Sequence, residues 1–232
     1  MEDSVNQWES NIYSKGKQLN RYTWGEVYYY ANRYFFPQIS RNEDINVLEL
    51  GSGTGNNLIF FAELGMNVYG IEGSSTACAH AQNKIAKYPN IKSKIICGNF
   101  CSHPLPFENN SLDLILDRGA LTHNFSKEIK NVLTEAYRVL KPGGLFFSIH
   151  FFSDKDSRFG KGIEVDYNTF KDTGGKTFEG VPQVHFSNLE EIYELYDGFT
   201  FELIEEKSVK RYRPYEGEDS ASFDIVAMKP YE

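Results

Sequence analysis

Residues Val47 to Glu72 begin with Val-Leu-Glu-Leu-Gly-Ser-Gly-Thr-Gly and end with Val-Tyr-Gly-Ile-Glu, with an amphipathic stretch between the two segments. The first apolar run ends in glycines at every second position, namely Gly51, Gly53 and Gly55. The second apolar run ends in the carboxylate of Glu72. This order predicts a β-strand, a tight turn, a helix and a second strand, and it is typical of a nucleoside-cofactor site.

The glycines leave the predicted turn bare of side chains, so that a ligand can lie against the backbone. N–H groups at the start of the following helix would point at that ligand, and Glu72 could accept hydrogen bonds from both hydroxyls of a ribose. A dinucleotide site requires Gly-x-Gly-x-x-Gly, and here Asn56 stands at the third glycine position. The alternative is a tight turn in an α/β domain that binds no ligand.

With its Gly-x-Gly-x-Gly spacing, the stretch Val47 to Gly55 together with Glu72 resembles the first two motifs of class I S-adenosylmethionine-dependent methyltransferases. The resemblance implies S-adenosylmethionine as the cofactor. It extends to Gly98-Asn99-Phe100, where Asn99 would offer an amide oxygen to the adenine amino group and Phe100 would cover the adenine face. Ordinary core packing is the alternative for Phe100. The cofactor-binding residues that we expect are Glu49, Gly51, Ser52, Gly53, Thr54, Gly55, Glu72, Asn99, Phe100 and Asp117.

The segment Asp117 to Leu121 follows a predicted fourth strand and is similar to a segment of the thiopurine methyltransferase branch. Asp117 is a candidate for the methionyl ammonium group or a neighbouring polar contact. Arg118 could form a two-pronged bond to a carboxylate or phosphate. Alternatively, Asp117 and Arg118 pair with each other and contact no ligand.

A hydroxyl acceptor would need a general base. His123 is the first candidate, because imidazole titrates near working pH and the position is expected on the substrate side. His150 is the second, although a histidine among phenylalanines can be a buried structural group. His185 is the third candidate and lies by the end of the polar segment 153–186. An amine acceptor needs no base once it is neutral.

Predicted strands and helices alternate along the chain, which predicts an α/β fold with a doubly wound, Rossmann-like sheet in a single domain. The clearest helix spans Ser126 to Leu140, where apolar residues recur at helical spacing. Thr23 and Glu26 form a capping box that predicts another helix from Trp24 to about Phe36. The resemblance implies a seven-stranded sheet in the order 3-2-1-4-5-7-6 with the last strand antiparallel.

Residues 1–44 are predicted to form an N-terminal lid or helical segment before a methyltransferase domain at 45–232. Residues 153–186 are polar and long for a connection, which predicts a substrate-side insertion with a short hairpin. Ser187 and Glu190 form a second capping box that opens a short helix. Similar leading segments in small-molecule methyltransferases act as lids, and the residues expected to close over cofactor and substrate are Tyr13, Lys15, Gly16, Arg21 and Tyr22.

The composition narrows the functional classes. The 232 residues are 41% hydrophobic with a net charge of −8, and without a dense Lys/Arg tract they are unsuited to nucleic acid. The acidic N-terminus and the lack of an apolar run near about 18 residues predict a cytoplasmic protein without a membrane segment. The three cysteines are too few for a disulfide framework.

Two other patterns are poor matches to known sites. Cys97, Cys101 and His103 lack paired Cys-x-x-Cys arms, so no metal site is expected. Gly174 to Thr177 mimics the end of a phosphate-binding loop without the first glycine of that motif.

The sequence therefore predicts a methyltransferase for a small polar acceptor such as a metabolite or a sugar-related intermediate, with oxygen as the expected acceptor atom. Three alternatives stay open: N-methylation of a small amine, a nicotinamide-dependent oxidoreductase, and a non-catalytic module that binds S-adenosylmethionine. The sequence does not distinguish a monomer from a homodimer.

Overall fold

The computed structural model describes residues 2–39, 44–102, 104–175, 179–214 and 217–231. The strands are β1 (Asn46–Leu50), β2 (Asn67–Glu72), β3 (Ser93–Cys97), β4 (Leu112–Arg118), β5 (Leu140–Phe152), β6 (Ile163–Asp166), β7 (Thr169–Lys171), β8 (Val184–His185), β9 (Thr200–Val209) and β10 (Ser220–Met228). The helices are α1 (Glu2–Asn11), α2 (Gly25–Tyr30), α3 (Asn56–Glu63), α4 (Ser75–Ile85), α5 (Ser126–Val139) and α6 (Leu189–Leu195).

Within these ranges, seven strands form one large sheet in the order β3-β2-β1-β4-β5-β10-β9. Strands β1 to β5 run parallel, and β10 runs antiparallel to both β5 and β9. Numbered along this sheet alone, the order is 3-2-1-4-5-7-6 with the last strand antiparallel, so the predicted fold is confirmed. The carboxyl ends of the parallel strands meet at one edge, where ligands bind in open α/β sheets.

The large sheet is covered on both faces, which explains the nearly continuous apolar runs of its central strands. Successive side chains point to opposite faces, so Leu48 and Ile115 pack in one core cluster and Val47, Leu114 and Leu116 pack in the other. Both clusters are fully buried at these positions. The sheet is therefore a rigid support for the loops at its carboxyl edge.

The predicted helix after Thr23 exists, but its start and its regularity differ from the prediction. Trp24 is the N-cap, α2 covers only Gly25–Tyr30, and residues 31–35 continue as a π-helical turn. The Thr23 hydroxyl donates to the carbonyl of Asn56 at 3.0 Å instead of capping the helix. A tertiary contact has thus replaced the local cap that the sequence pattern predicted.

The insertion holds more sheet than the predicted hairpin, because β6, β7 and β8 form a small antiparallel sheet within the described residues. After it, Asn188 rather than Ser187 caps α6, with the Asn188 side chain accepting from the Glu191 N–H.

The structure also joins Cys78 and Cys97 as a disulfide, a pair that the cysteine count did not predict. No helix in the described part of the chain is long and apolar enough to cross a membrane.

Tyr30 links α2 to strand β10 of the large sheet, because its buried hydroxyl donates to Asp224 Oδ2 at 2.7 Å. We predict that Tyr30→Phe lowers the free energy of unfolding by about 1–3 kcal/mol, the usual effect of losing a hydrogen bond to a charged group. Tyr29→Phe is the matched control, since Tyr29 is 57% exposed and should change stability by less than about 0.5 kcal/mol. Urea denaturation measures both, and equal effects would contradict the assignment.

Candidate active site

The turn between β1 and α3 can be built only with glycine at its critical positions. Gly51 and Gly53 have φ of +63° and +50°, in the left-handed region. A Cβ on Gly51 would lie 2.3 Å from the Cβ of Ala120, and one on Gly53 would lie 2.9 Å from the Tyr13 hydroxyl. The turn is therefore a bare backbone surface, closely faced by Ala120 and Tyr13.

Glu72 lies at the end of β2 and is tied to this turn. Its Oε2 accepts from the Gly53 N–H at 2.7 Å, and its Oε1 accepts from the Ser74 N–H at 2.7 Å. Burial raises the pKa of Glu72, and these two hydrogen bonds act in the opposite direction. Each carboxylate oxygen has a second lone pair, so the group can also accept hydrogen bonds from ribose hydroxyls.

Glu49 lies in β1 just before the turn and is 2% exposed. Its Oε1 accepts from Asn57 Nδ2 at 2.6 Å, whereas its Oε2 has no hydrogen-bond partner among the described residues. Burial raises the pKa of Glu49 to about 8, and the nearby charges of Asp117 and Glu72 add to that effect. A buried carboxylate oxygen without a donor is suited to an ammonium group, which is the contact expected for the methionyl end of the cofactor.

The other residues of the turn are distributed between ligand-facing and structural contacts. Ser52 Oγ is buried without a hydrogen-bond partner in the described part of the chain, so it is available to a ligand. Thr54 Oγ1 donates to the Asn20 carbonyl at 3.1 Å, which attaches the N-terminal segment to the turn. Gly55 is the N-cap of α3, with φ of +73°.

Two adjoining cavities lie over the turn and share Tyr13, Gln18, Gly51 and Arg118. The first, which we call the nucleoside cavity, is further lined by Ser4, Val5, Trp8, Glu72, Gly73, Gly98, Asn99, Phe100, Gly119, Ala120, His123 and Asn124. The second, which we call the methionyl cavity, is further lined by Asn20, Trp24, Glu49, Ser52, Gly53, Thr54, Asn56 and Asn57. The two cavities together match the division of S-adenosylmethionine into an adenosyl part and an amino-acid part.

Asn99 and Phe100 both lie in the nucleoside cavity, as the sequence predicts. Phe100 is partly buried and faces the cavity as well as the core. Asn99 Oδ1 accepts from the Cys101 N–H at 2.8 Å, so this oxygen also holds the local turn. The structure brings both residues to the place where an adenine ring is expected.

Asp117 lies outside both cavities. Its Oδ1 accepts from the N–H groups of Ala120 and Leu121, each at 2.9 Å, and its Oδ2 accepts from Ser148 Oγ at 3.1 Å. Burial raises the pKa of Asp117 to about 6. Oδ1 thus holds the turn after β4 and Oδ2 is bonded to β5, so the contacts of Asp117 are structural where the sequence suggested a direct ligand contact.

Arg118, the next residue, lines both cavities. Its guanidinium carbon lies 3.8 Å from the centre of the Trp24 ring, which is a close cation–π contact. Burial lowers the pKa of Arg118. The Asp117 to Arg118 ion pair that the sequence left open does not form, since the described residues place no carboxylate oxygen within 4.0 Å of Arg118.

His123 lies in the nucleoside cavity and is 8% exposed. Its Nδ1 is 2.8 Å from the carbonyl oxygen of Gln183. A carbonyl can only accept, so Nδ1 carries the proton and the lone pair of the neutral ring is on Nε2. Burial lowers the pKa of His123 to about 4, so the ring is neutral near pH 7.

His150 packs near the ring of Phe152, as His123 does, and does not line either cavity. Its ring centroid is 4.8 Å from that of Phe152, and its Nδ1 is 3.2 Å from Ser222 Oγ. The backbone of His150 has φ of +66°, a strained conformation for a residue with a Cβ. Burial lowers the pKa of His150 to about 4, and the charge of Arg118 adds to this effect.

His185 is fully buried in the small sheet, away from both cavities. Its two ring nitrogens lie 2.9 Å from Thr169 Oγ1 and 3.1 Å from Ser187 Oγ. The structure therefore does not bring His185 to the candidate site, and its contacts are those of a satisfied structural histidine.

The N-terminal segment covers the site, but mostly through residues that the sequence did not single out. Tyr13 lies in both cavities, and burial raises the pKa of its phenol. The other predicted lid residues, Lys15, Gly16, Arg21 and Tyr22, are exposed and line neither cavity.

Helix α1 forms the outer wall of the nucleoside cavity through Ser4, Val5 and Trp8. Glu9 on the same helix accepts from Ser74 Oγ and from both the N–H and the hydroxyl of Thr76. This carboxylate holds α1 against the N-terminus of α4, where negative charge is favourable.

Sequence reasoning missed Trp8, Gln18, Trp24 and Asn57. The dense aromatics at the N-terminus indicated a packed segment, but no spacing identified which of them would face a ligand. Only the fold places α1 and the residues around 18–24 over a turn that lies some 30 positions later in the chain. In the described residues, no group of three or more His, Cys, Asp and Glu could hold a metal ion, and His103 and Lys176 to Phe178 lie outside them.

Sequence comparison agrees with this geometry. Residues 47–144 match the model of a protein family described as a methyltransferase domain. A sterol 24-C-methyltransferase from Schizosaccharomyces pombe is 25% identical over 193 residues, which are 75% of this chain and 49% of that protein. The chain spans about half the length of the curated relatives it matches.

Solved structures share the fold. A SAM-dependent methyltransferase from Methanosarcina mazei gives a TM-score of 0.66 at 21% identity, over 91% of this chain and 100% of that chain. Phosphoethanolamine N-methyltransferase 2 from Haemonchus contortus, with phosphomonomethylethanolamine and S-adenosylhomocysteine, gives 0.63 at 17% identity over 100% of this chain and 58% of that chain. The chain therefore has the α/β fold of these methyltransferases, and the domain match supports S-adenosylmethionine as the cofactor. Similarity to the thiopurine branch stays a prediction.

The raised pKa of Glu49 predicts pH-dependent binding of S-adenosylhomocysteine. Only the ionised carboxylate binds the ligand's ammonium group well, so below its pKa of about 8 Glu49 must first release a proton. Affinity should rise by about tenfold per pH unit between about pH 6 and pH 7.5 and level off near pH 8. Glu49→Gln should abolish the slope. Calorimetry at several pH values measures it, and a flat wild-type profile would contradict the Glu49 assignment.

The contacts of Glu9 predict that helix α1 acts as a lid and slows the dissociation of a bound ligand. Glu9→Ala should speed dissociation of S-adenosylhomocysteine by roughly 3- to 10-fold, because α1 loses its charge-assisted hydrogen bonds to α4. Asn6→Ala is the control, since Asn6 is exposed on the same helix. Stopped-flow tryptophan fluorescence gives both rates. Equal rates in the two variants would show that Glu9 does not hold the lid.

Proposed function

We propose that this chain is an S-adenosylmethionine-dependent methyltransferase that acts on a small polar acceptor through an oxygen atom. The observation that carries the proposal is the Glu72 carboxylate bonded to the Gly53 N–H beside a turn without side chains. The buried Glu49 oxygen at the other end of the turn supports the same ligand. An adenosyl sulfonium bears a ribose and an ammonium group that match these two carboxylates.

When bound, S-adenosylmethionine supplies an electrophilic methyl group. The protein then needs to align the acceptor with that group and exclude water. Trp8 and Tyr13 are placed to exclude water, because they close the nucleoside cavity from the side of the N-terminal segment. Trp24 does the same for the methionyl cavity.

His123 is our proposed general base for a hydroxyl acceptor. Its ring is neutral near pH 7, and the carbonyl of Gln183 fixes the tautomer with the lone pair on Nε2. A base must lie within hydrogen-bond reach of the proton that it removes, and His123 lies in the cavity beside the expected adenosyl position. His150 remains the second candidate, because it lies outside both cavities and is bonded to Ser222.

The open cavity favours an enzyme over a non-catalytic binding module. A module that uses the cofactor only for assembly needs neither a base nor a cation beside it, whereas His123 and Arg118 both line the nucleoside cavity. Because α1 encloses that cavity, we propose a small molecule as acceptor, and the net charge of −8 supports the exclusion of nucleic acid. A cytoplasmic location remains a prediction from the sequence.

The proposal is tested by incubating the pure protein with methyl-labelled S-adenosylmethionine and a panel of small hydroxyl, carboxyl and amine compounds. We expect retention of the donor and transfer to a hydroxyl compound. His123→Ala should lower turnover by about 100-fold, the usual contribution of a general base, while S-adenosylhomocysteine binds as in wild type. His80→Ala is the control, since His80 is exposed on α4. Failure to retain the donor would refute the proposal, and an unaffected His123→Ala variant would refute the base.

A further inference from the structure

Arg118 is a largely buried cation that touches no carboxylate. Its Nε is buried without a hydrogen-bond partner, and the described residues offer it no ion pair within 4.0 Å. A buried charge without a partner is costly and is uncommon unless a ligand compensates for it. The guanidinium therefore marks a position where an anion would be bound favourably.

The carboxylates around Arg118 do not compensate for it directly. Glu26, Asp224, Asp117 and Glu49 act on it only through longer-range charge interactions. Asp224 accepts from the His150 N–H, Tyr30 and Lys207, and Asp117 and Glu49 are held by the donors described above. Asp224 and Asp117 are thus bonded to other donors, and neither Glu26 nor Glu49 comes within 4.0 Å of the guanidinium, so its N–H edge is left for a ligand.

Trp24 lies against the guanidinium of Arg118. The close contact of 3.8 Å with the indole ring covers one face of the planar group. The N–H groups lie in the plane of the guanidinium, so stacking leaves its edge able to form a two-pronged bond. This geometry matches a carboxylate or a phosphate better than a single neutral acceptor.

We propose that Arg118, stacked on Trp24, binds a carboxylate or phosphate group of the methyl acceptor. This inference rests on the proposed function and narrows its acceptor to an anionic small molecule. Arg118 and His123 line the same cavity, so an anionic group on Arg118 would leave the rest of the acceptor between the cofactor and His123. A protonated amine beside Arg118 would instead meet a like charge, in addition to the positive charge of the sulfonium.

The competing source of an anion is the cofactor itself, because its methionyl part ends in a carboxylate and Arg118 also lines the methionyl cavity. 5′-Methylthioadenosine has the same nucleoside without the amino-acid part. If Arg118 binds the acceptor, Arg118→Met should leave the affinities for S-adenosylhomocysteine and 5′-methylthioadenosine both within about 3-fold of wild type. If it binds the cofactor's carboxylate, only S-adenosylhomocysteine should weaken, by about 10-fold or more.

Binding of an anionic acceptor group to Arg118 is tested with small aromatic ligands on the protein loaded with S-adenosylhomocysteine. The chain has two tryptophans, so a Trp8→Phe background leaves Trp24 as the reporter under Arg118. Benzoate and phenyl phosphate should quench or shift Trp24 fluorescence and bind about 10-fold or more tightly than neutral benzamide. Arg118→Met should remove this preference, whereas Arg33→Met, at an exposed site, should keep it. Arg118→Lys keeps the positive charge but not the two-pronged N–H geometry of the guanidinium, so it should bind benzoate with an intermediate affinity. This variant also controls for a loss of folding in Arg118→Met.

Each outcome decides between the proposals. Benzamide binding as tightly as benzoate, or an anion preference that survives Arg118→Met, overturns the inference and leaves the proposed function standing. A loss of affinity confined to S-adenosylhomocysteine also overturns it, because the guanidinium then serves the cofactor. A wild-type protein that binds neither S-adenosylhomocysteine nor 5′-methylthioadenosine overturns the proposed function and this inference together.

Discussion

Two hydrogen bonds to the carboxylate of Glu72, from the N–H groups of Gly53 and Ser74, fix the shape of the groove over the sheet. They join the turn after β1 to the loop after β2, so the ends of two neighbouring strands act as one unit. The same loop carries Ser74, which caps α4 and donates to Glu9 on α1. The position of the lid therefore depends on the same few contacts that shape the cofactor groove.

Asn56 and Asn57 extend this arrangement to the methionyl cavity. Asn56 stands where a dinucleotide site would have glycine, and its side chain donates to the carbonyl of Tyr22 at 2.9 Å. Asn57 donates to Glu49 and accepts from the Trp24 N–H at 3.1 Å, so one amide connects the buried acid to the segment that carries the indole. Asn56, at the third glycine position, and its neighbour Asn57 thus hold the N-terminal segment in place. This attachment places the Trp24 ring against the guanidinium of Arg118.

The sequence predicted the sheet and its cofactor edge because those features follow from local patterns. Alternating apolar runs defined the strands, and the glycine spacing located the turn and Glu72 correctly. Contacts between distant segments were beyond such patterns: Thr23 bonds to α3 instead of capping its own helix, and Asp117 holds the turn after β4. The same limit explains why Lys15 was expected in the lid while Gln18, three residues later, lies in both cavities. Which face of an irregular segment meets a ligand is decided by its tertiary partners.

The proposed function requires that an adenosyl sulfonium lies against the bare turn with its sugar on Glu72. A crystal structure of the protein with S-adenosylhomocysteine tests this most directly. We expect both ribose hydroxyls within hydrogen-bond distance of the Glu72 carboxylate, the adenine over Phe100, and the ammonium group at Glu49. A nucleoside bound elsewhere, or a groove closed by side chains with the ligand excluded, would contradict it.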